Sequence, residues 1–235
     1  MVKKEFNPNL SNPYYFIRKL LYKKIKTYSP LLSGRLLDFG CGSKPYKSLF
    51  TNVSSYTGID YENSEHLHKQ SQVDVFYDGK SIPFGNNEFD AVLCSEVFEH
   101  VFNLEEIIPE LNRVLKPGGK ILITCPFVWY EHEVPYDYAR YTIFALQHLL
   151  EKNGFEINVL DKTGDYATTL HQMKMVYFSE HFLQSMFLIG KIKFITSNIR
   201  PPLMFLFNTL FLIKRLFLPK RYTLYLNNVV VATKK

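Results

Sequence analysis

An apolar run that ends in an acid, followed by two glycines at alternate positions, can fold tightly around a bound group. Leu36-Leu37-Asp38-Phe39-Gly40-Cys41-Gly42 is such a run. It reads as a buried strand passing into a turn where backbone approaches a ligand closely, which glycine permits without a Cβ clash. A second apolar segment, Tyr56-Thr57-Gly58-Ile59-Asp60, ends in another acid 22 positions after Asp38. That is about the spacing at which a strand-end carboxylate takes a ribose diol in nucleotide-binding βαβ units. A third concentration of polar chemistry runs from Pro126 to Thr142. It holds three acids, one histidine, one arginine and the only tryptophan.

These groups meet only if strands and helices bring them to one edge. Strand candidates lie at 35–40, 54–60, 73–77, 88–95, 120–125 and 155–161, with a closing strand within 222–233. Between them the apolar residues 104, 107, 108, 111, 114 and 115 repeat with a helical period, and Asn103 stands where a cap belongs. Pro109 is expected to distort this helix. Lys116-Pro117-Gly118-Gly119 stops it. Residues 142–153 repeat the pattern, with Thr142 at the start and Gly154 after the end, and residues 13–28 read as a helix. Strands alternating with helices imply a mostly parallel sheet covered on both faces, whose ligands bind beyond the carboxyl ends of the strands.

Composition narrows the class. A chain of 235 residues with 46% hydrophobic content suits one α/β core with an added element. Cys41, Cys94 and Cys125 form neither a CxxC pair nor a zinc spacing, which points to a reducing compartment. The N-terminus has no apolar run after its lysines and does not read as a secretory signal. The net charge of +6 is unevenly spread. Residues 1–35 hold 8 Lys/Arg against 1 acid, residues 36–161 hold 9 against 19, and residues 162–235 hold 11 against 2. A nucleic-acid binder would be more uniformly basic. Basic ends around an acidic centre suit contact with an anionic membrane surface or a phosphorylated substrate, or are simply solvated helix faces.

On these residues the chain resembles class I S-adenosylmethionine-dependent methyltransferases over roughly 33–165 and the last strand. Asp38-Phe39-Gly40-Cys41-Gly42, Asp60, Tyr77-Asp78, Ile82-Pro83-Phe84, Phe89 through Ser95-Glu96, and Leu115 through Gly119 carry the likeness. Lys44 stands near where the family pattern has a third glycine, and Pro45 departs from the nicotinamide G-x-G-x-x-G pattern. The resemblance implies a Rossmann-like α/β fold: a mostly parallel seven-stranded sheet with an antiparallel last strand and a helical insertion before it. The expected organisation is an N-terminal helical segment at 1–30, a core at 31–165 plus 222–235, and a hydrophobic, basic insertion at 166–221.

The resemblance also implies roles. S-adenosyl-L-methionine is the expected cofactor. Gly40 and Gly42 would admit its methionine portion, and Asp38 would fix the loop or meet the ammonium. Asp60 would accept the ribose hydroxyls and Asp78 the adenine amino group, with Ile82 against the ring and Ser95 also on the cofactor side. Asp78-Gly79 also reads as a plain turn. The loop after the fifth strand is similar to those of methyltransferases of bacterial surface-glycan pathways, which share a His-Glu-x-Pro…Asp-Tyr-x-Arg-Tyr run. His132 is the base candidate, Arg140 a candidate for a substrate anion, and His100 a second base candidate. Asp137 and Arg140 alternatively pair and hold the loop. Cys94 and Cys125 read as core residues rather than nucleophiles, and no metal site is expected.

Two further segments need a role. Residues 171–190 are amphipathic and rich in Met and Phe, and 201–218 opens on Pro201-Pro202 and is apolar but for Asn208-Thr209 and Lys214-Arg215. The run is too short to span a bilayer. On a helical wheel Asn208 and Arg215 nearly coincide, leaving a broad apolar face for a membrane interface, a dimer or the active site. The leading expectation is methyl transfer to an oxygen or nitrogen of a glycan-type or lipid-linked acceptor by a cytoplasmic protein, peripheral on the inner membrane face. The alternatives are a soluble small-metabolite acceptor with the insertion as a lid, and a non-catalytic membrane-associated binding module. Nucleic acid is not expected as a partner, and the oligomeric state stays open.

Overall fold

The computed structural model describes residues 2–61, 72–182 and 193–235. The described chain divides into two compact units, one of 24–161 with 227–235, the other of 3–23 with 162–226. The first unit is built on the expected sheet. Its strands are β1 (Gly34–Phe39), β2 (Val53–Tyr61), β3 (Val75–Tyr77), β4 (Phe89–Ser95), β5 (Leu115–Pro126), β6 (Phe155–Lys162) and β7 (Asn227–Lys234), in the spatial order β3-β2-β1-β4-β5-β7-β6. β1 pairs parallel with β2 and β4, β2 with β3, and β4 with β5, while β7 runs antiparallel to β5. Strand order reverses on either side of β1, and such a switch point opens a crevice beyond the carboxyl ends of β1 and β4.

The strands form because they bury nearly continuous apolar runs, as parallel strands covered on both faces must. Leu36, Leu37 and Phe39 of β1, Ala91 to Cys94 of β4 and Ile121 to Ile123 of β5 are at most 1% exposed. Helix α2 (Leu104–Val114) contributes Leu104, Ile107, Ile108, Leu111 and Val114 to the same core. It continues through Pro109, because that buried stripe outweighs one missing backbone donor. Asn103 occupies the cap position, but its amide donates to Gly79 O and Glu106 Oε2 and makes no side-chain cap bond. Thr142 caps α3 (Ile143–Lys152) as expected, accepting from the Ala145 amide.

Three boundaries differ from the sequence reading. Lys116-Pro117-Gly118-Gly119 ends the helix, yet strand β5 begins at once at Leu115, with an irregular register against Phe89 and Ala91. The closing strand starts at Asn227, because the Leu226 amide is taken by Thr163 O. The double proline does not open its helix: α5 runs Lys193–Arg215 with Pro201 and Pro202 inside.

In the second unit, Asp165 caps α4 (Tyr166–Tyr177), which passes into a π turn at Phe178–Phe182; the expected helix beyond 182, to residue 190, lies outside the described residues. Gln172, fully buried, accepts from the Phe16 and Ile17 amides and donates to Pro13 O, closing the start of α1 (Tyr15–Tyr28). The polar side of α5 faces inward. Asn208 is fully buried, donating to Leu10 O and bonded to His171 Nε2, and Arg215 pairs with Asp165. Met204 is buried beside them, and Phe211 stacks on His171 at 4.1 Å. Phe205, Leu206, Leu210, Ile213, Leu216 and Phe217 are exposed. Among the described residues no helix is long and apolar enough to cross a membrane.

Candidate active site

The expected cofactor residues gather at the carboxyl edge of β1, β2, β3 and β4. The Gly40 and Cys41 amides both donate to Ile59 O, at 2.9 and 3.0 Å, folding the chain back over the end of β2. The Gly42 amide donates to Asp60 Oδ2 at 2.8 Å, so the second acid is tied to the glycine turn. Gly40 has φ +69° and Gly42 φ +45°, a region that favours glycine. A Cβ on Gly40 would meet Val97 Cγ2 at 2.4 Å, whereas one on Gly42 would meet nothing within 4 Å. Open space over Gly42 beside the Asp60 carboxylate is the cradle a close-lying ligand needs.

Asp38 is buried, and Tyr56 Oη donates to its Oδ2 at 2.6 Å. Burial pushes its carboxyl up to about 7, with the Tyr56 hydrogen bond and the Lys44 charge acting against that rise. Lys44 is buried at φ +52°, and its Nζ reaches Asp74 Oδ2 at 2.5 Å. Asp74 also accepts the Gly58 amide at 2.7 Å. Gly58 is what admits that lysine, since a Cβ there would meet Lys44 Cε at 2.3 Å. The lysine near the third glycine position is therefore an internal strut. Tyr56, Gly58 and Asp74 were not singled out as site residues, because their partners are remote in sequence.

Asp78 forms the turn: its Oδ1 accepts the Lys80 and Ser81 amides, which holds the carboxyl below its usual range. Ile82 is 1% exposed and packs within the core. Ser95 Oγ shares a 3.1 Å hydrogen bond with Thr124 Oγ1. Cys94 and Cys125 are fully buried free thiols, pushed well above their ordinary values by burial, so they pack rather than attack.

The loop after β5 is pinned to the turn at Phe98–His100. The Tyr138 and Ala139 amides donate to Glu99 O, and Tyr136 O bonds His100 Nδ1 at 2.8 Å. Asp137 accepts the His132 amide at 2.9 Å, His132 Nδ1 at 3.1 Å and both terminal nitrogens of Arg140 at 2.5 and 2.6 Å. Burial opposes the Asp137 charge, but Arg140 and the His132 amide hold its carboxyl well below the usual range. Arg140 also reaches Trp129 O, Tyr130 O and Ala139 O, so its five donors hold the loop. Burial and the neighbouring His100 lower the His132 pKa and favour the neutral ring.

Facing this loop are two acids after β4. Asn227 Nδ2 donates to Glu96 Oε2 at 2.6 Å, while Glu96 Oε1 and both Glu99 oxygens are buried without a hydrogen-bond partner. Glu96 sits at φ +56° and Glu133, across the site, at φ +52°. Burial raises Glu96 to about 7, and burial together with the Glu96 charge raises Glu99 well above its ordinary value. The edge thus sets an open glycine turn beside a cluster of histidines and buried acids.

Residues 37–123 match the family model described as a methyltransferase domain. The seven-stranded order with an antiparallel β7 is the Rossmann-like methyltransferase fold. Curated relatives include the ubiquinone biosynthesis O-methyltransferase of Thiobacillus denitrificans, 28% identical over 132 residues, and the human mitochondrial one, 35% identical over 127. These matches cover 51% and 46% of this chain but only 56% and 34% of the relatives' lengths. The crystal structure of the [4+2]-cyclase SpnF superposes with a TM-score of 0.56 at 21% identity, covering 91% of this chain and 79% of that one. The cyclase shares the fold alone, so the reaction must be argued from the site.

Proposed function

We propose that this chain transfers a methyl group from S-adenosylmethionine to a hydroxyl, or an amine nitrogen, of a glycan-type or lipid-linked acceptor. The observation that carries the reaction is the His132–Asp137 pair at the same strand edge as the Gly40–Gly42 turn. The cofactor, when bound, supplies an electrophilic methyl on its sulfonium. Gly42 leaves room for it, Asp60 accepts its ribose hydroxyls and Asp38 balances its ammonium. Asp137 holds His132 Nδ1, which leaves Nε2 to take the acceptor proton. Arg140 positions that pair through Asp137. The relatives named as O-methyltransferases support oxygen as the acceptor atom.

The lipid-linked reading, with a cytoplasmic location on the inner membrane face, draws on the second unit. Its exposed apolar face on α5 is bordered by exposed Lys214, Lys220 and Arg221. Basic residues near an anionic surface contribute about 1 kcal/mol each. The protein should co-sediment with phosphatidylserine vesicles and release partly in salt. Changing Lys214, Lys220 and Arg221 to Gln should weaken binding, and changing the outward Phe205 and Phe217 to Ser should remove the part that survives salt. Wild-type protein that ignores vesicles at low salt defeats the membrane reading. Labelled cofactor offered with lipid-linked sugars and with soluble ones then tests the acceptor; transfer only to soluble acceptors defeats the lipid-linked assignment.

A further inference from the structure

We propose that Glu99, His100 and His132 form a binding site for a divalent transition-metal cation, positioned to hold the acceptor oxygen. The ligand atoms these three residues offer lie within 4.8 Å of one another. Their rings and carboxylate converge: His100 Nε2 is 3.8 Å from Glu99 Oε1, and the two imidazoles meet edge to face at 4.8 Å.

Two independent features point to a cation. The first is the Glu99 carboxylate, 1% exposed, with neither oxygen hydrogen-bonded. A buried carboxylate without a hydrogen bond is strongly unfavourable unless it takes up a proton or meets a cation, and a cation can displace that proton. The second is how the histidines are oriented. His132 Nδ1 is held by Asp137 and His100 Nδ1 by Tyr136 O, at 3.1 and 2.8 Å. A carboxylate or carbonyl behind one ring nitrogen fixes the tautomer and presents the other as a ligand, as metal-binding histidines require. This leaves Nε2 of each ring as the nitrogen to ligate, and that of His100 lies 3.8 Å from Glu99 Oε1.

The donor set selects the ion class. Two imidazoles and one carboxylate suit zinc, cobalt, iron or manganese better than calcium or magnesium, which favour all-oxygen shells. A cation about 2.1 Å from each donor spaces them about 3–4 Å apart, so a small inward movement closes the site. Three protein ligands leave positions open for an acceptor oxygen. The cation site stands on this geometry alone; its service to the acceptor rests on the methyl-transfer reading. With a cation on Nε2, His132 would be a ligand and not the base; the cation would lower the pKa of a bound acceptor hydroxyl, whose proton would then leave to water.

The test is to titrate the purified, chelator-treated full chain with Zn²⁺ by calorimetry and with Co²⁺ by visible absorption. S-adenosylhomocysteine affinity is measured on the same samples. One cation per chain is expected, with affinity falling at least about 10-fold in Glu99→Gln, in His100→Ala and in His132→Ala, and with S-adenosylhomocysteine binding kept. Wild type without a stoichiometric site overturns the proposal. So does wild-type-like affinity in folded His100→Ala and His132→Ala, which would assign the ion elsewhere; these two variants decide the matter if Glu99→Gln does not fold. Zinc binding that depends on the three residues in a protein that ignores S-adenosylhomocysteine upholds the cation site and defeats the cofactor reading instead.

Discussion

The cofactor side and the acceptor side of the strand edge treat their acids differently. On the cofactor side Asp38, Asp60 and Asp74 each accept a hydrogen bond from a tyrosine, a backbone amide or a lysine. On the acceptor side Glu96 is half satisfied and Glu99 has no side-chain hydrogen bond, although both sit against the core. A satisfied network is rigid and pre-shaped for its ligand, whereas a partly satisfied one in low dielectric carries a standing electrostatic penalty. On the proposed methyl-transfer reading, the first side is built to bind and the second to react.

The largest effect should come from breaking the reactive side. His132→Ala should lower turnover by about 10²–10⁴-fold while S-adenosylhomocysteine affinity is unchanged by calorimetry. Chelator treatment sharpens the result. Wild-type turnover that survives removal of divalent ions assigns His132 the proton, and turnover lost with the ions and restored by them assigns it the cation. A normal rate in the mutant would reduce the cluster to packing.

Next in size is the binding side. Asp60→Ala removes a charged acceptor, and the loss should be about 1.5–3 kcal/mol of S-adenosylhomocysteine affinity with little change in saturated turnover. Unchanged affinity would sink the ribose assignment. The two glycines separate shape from stability. Gly40→Ala places a Cβ against Val97 and should lower the melting temperature. Gly42→Ala meets no protein atom, so it should cost only the roughly 1–2 kcal/mol of its left-handed backbone yet still weaken cofactor binding. Equal stability losses with no binding defect at Gly42 would mean the turn is structural only.

Much of the binding side was legible in sequence and little of the reactive side was. Asp38, Gly40, Gly42 and Asp60 follow one another at strand-end spacing, and local pattern alone places them. Asp137 and Arg140 were readable as a pair. The unpartnered state of Glu99 was not, because it depends on the loop at 126–142 folding back over the turn at 98–100. The Asn227 that meets Glu96 arrives from a strand 131 positions away. An Asn-Asn pair opening a valine-rich strand was the available clue, since β7 runs antiparallel to β5 and begins at the site edge. Helix α5 misled the wheel for a similar reason. The wheel sets Asn208 and Arg215 together opposite a broad apolar face offered for contact, but His171 and Asp165 draw that polar pair inward, and Phe211 goes with them.

The smallest expected effect tests whether the binding side is as settled as it looks. Asp38 is hydrogen-bonded, yet burial lifts its carboxyl to about 7. Its ionised form is thus disfavoured in the free fold, and stability from this group falls as pH rises from the unfolded value through 7. A bound ammonium group favours that same ionised form and draws the pKa back down. Below pH 7 binding must first expel a proton, so affinity should fall as pH falls. For a single group with pKa near 7, S-adenosylhomocysteine should bind about 10-fold more weakly at pH 6 than at pH 8. Glu96 is also raised to about 7, so the pH profile alone does not identify the group. Asp38→Asn does: it should flatten the profile and bind at all pH values no better than wild type does at pH 6. A profile that stays steep in Asp38→Asn moves the titration to Glu96, and the division between a binding side and a reactive side would then have to be redrawn.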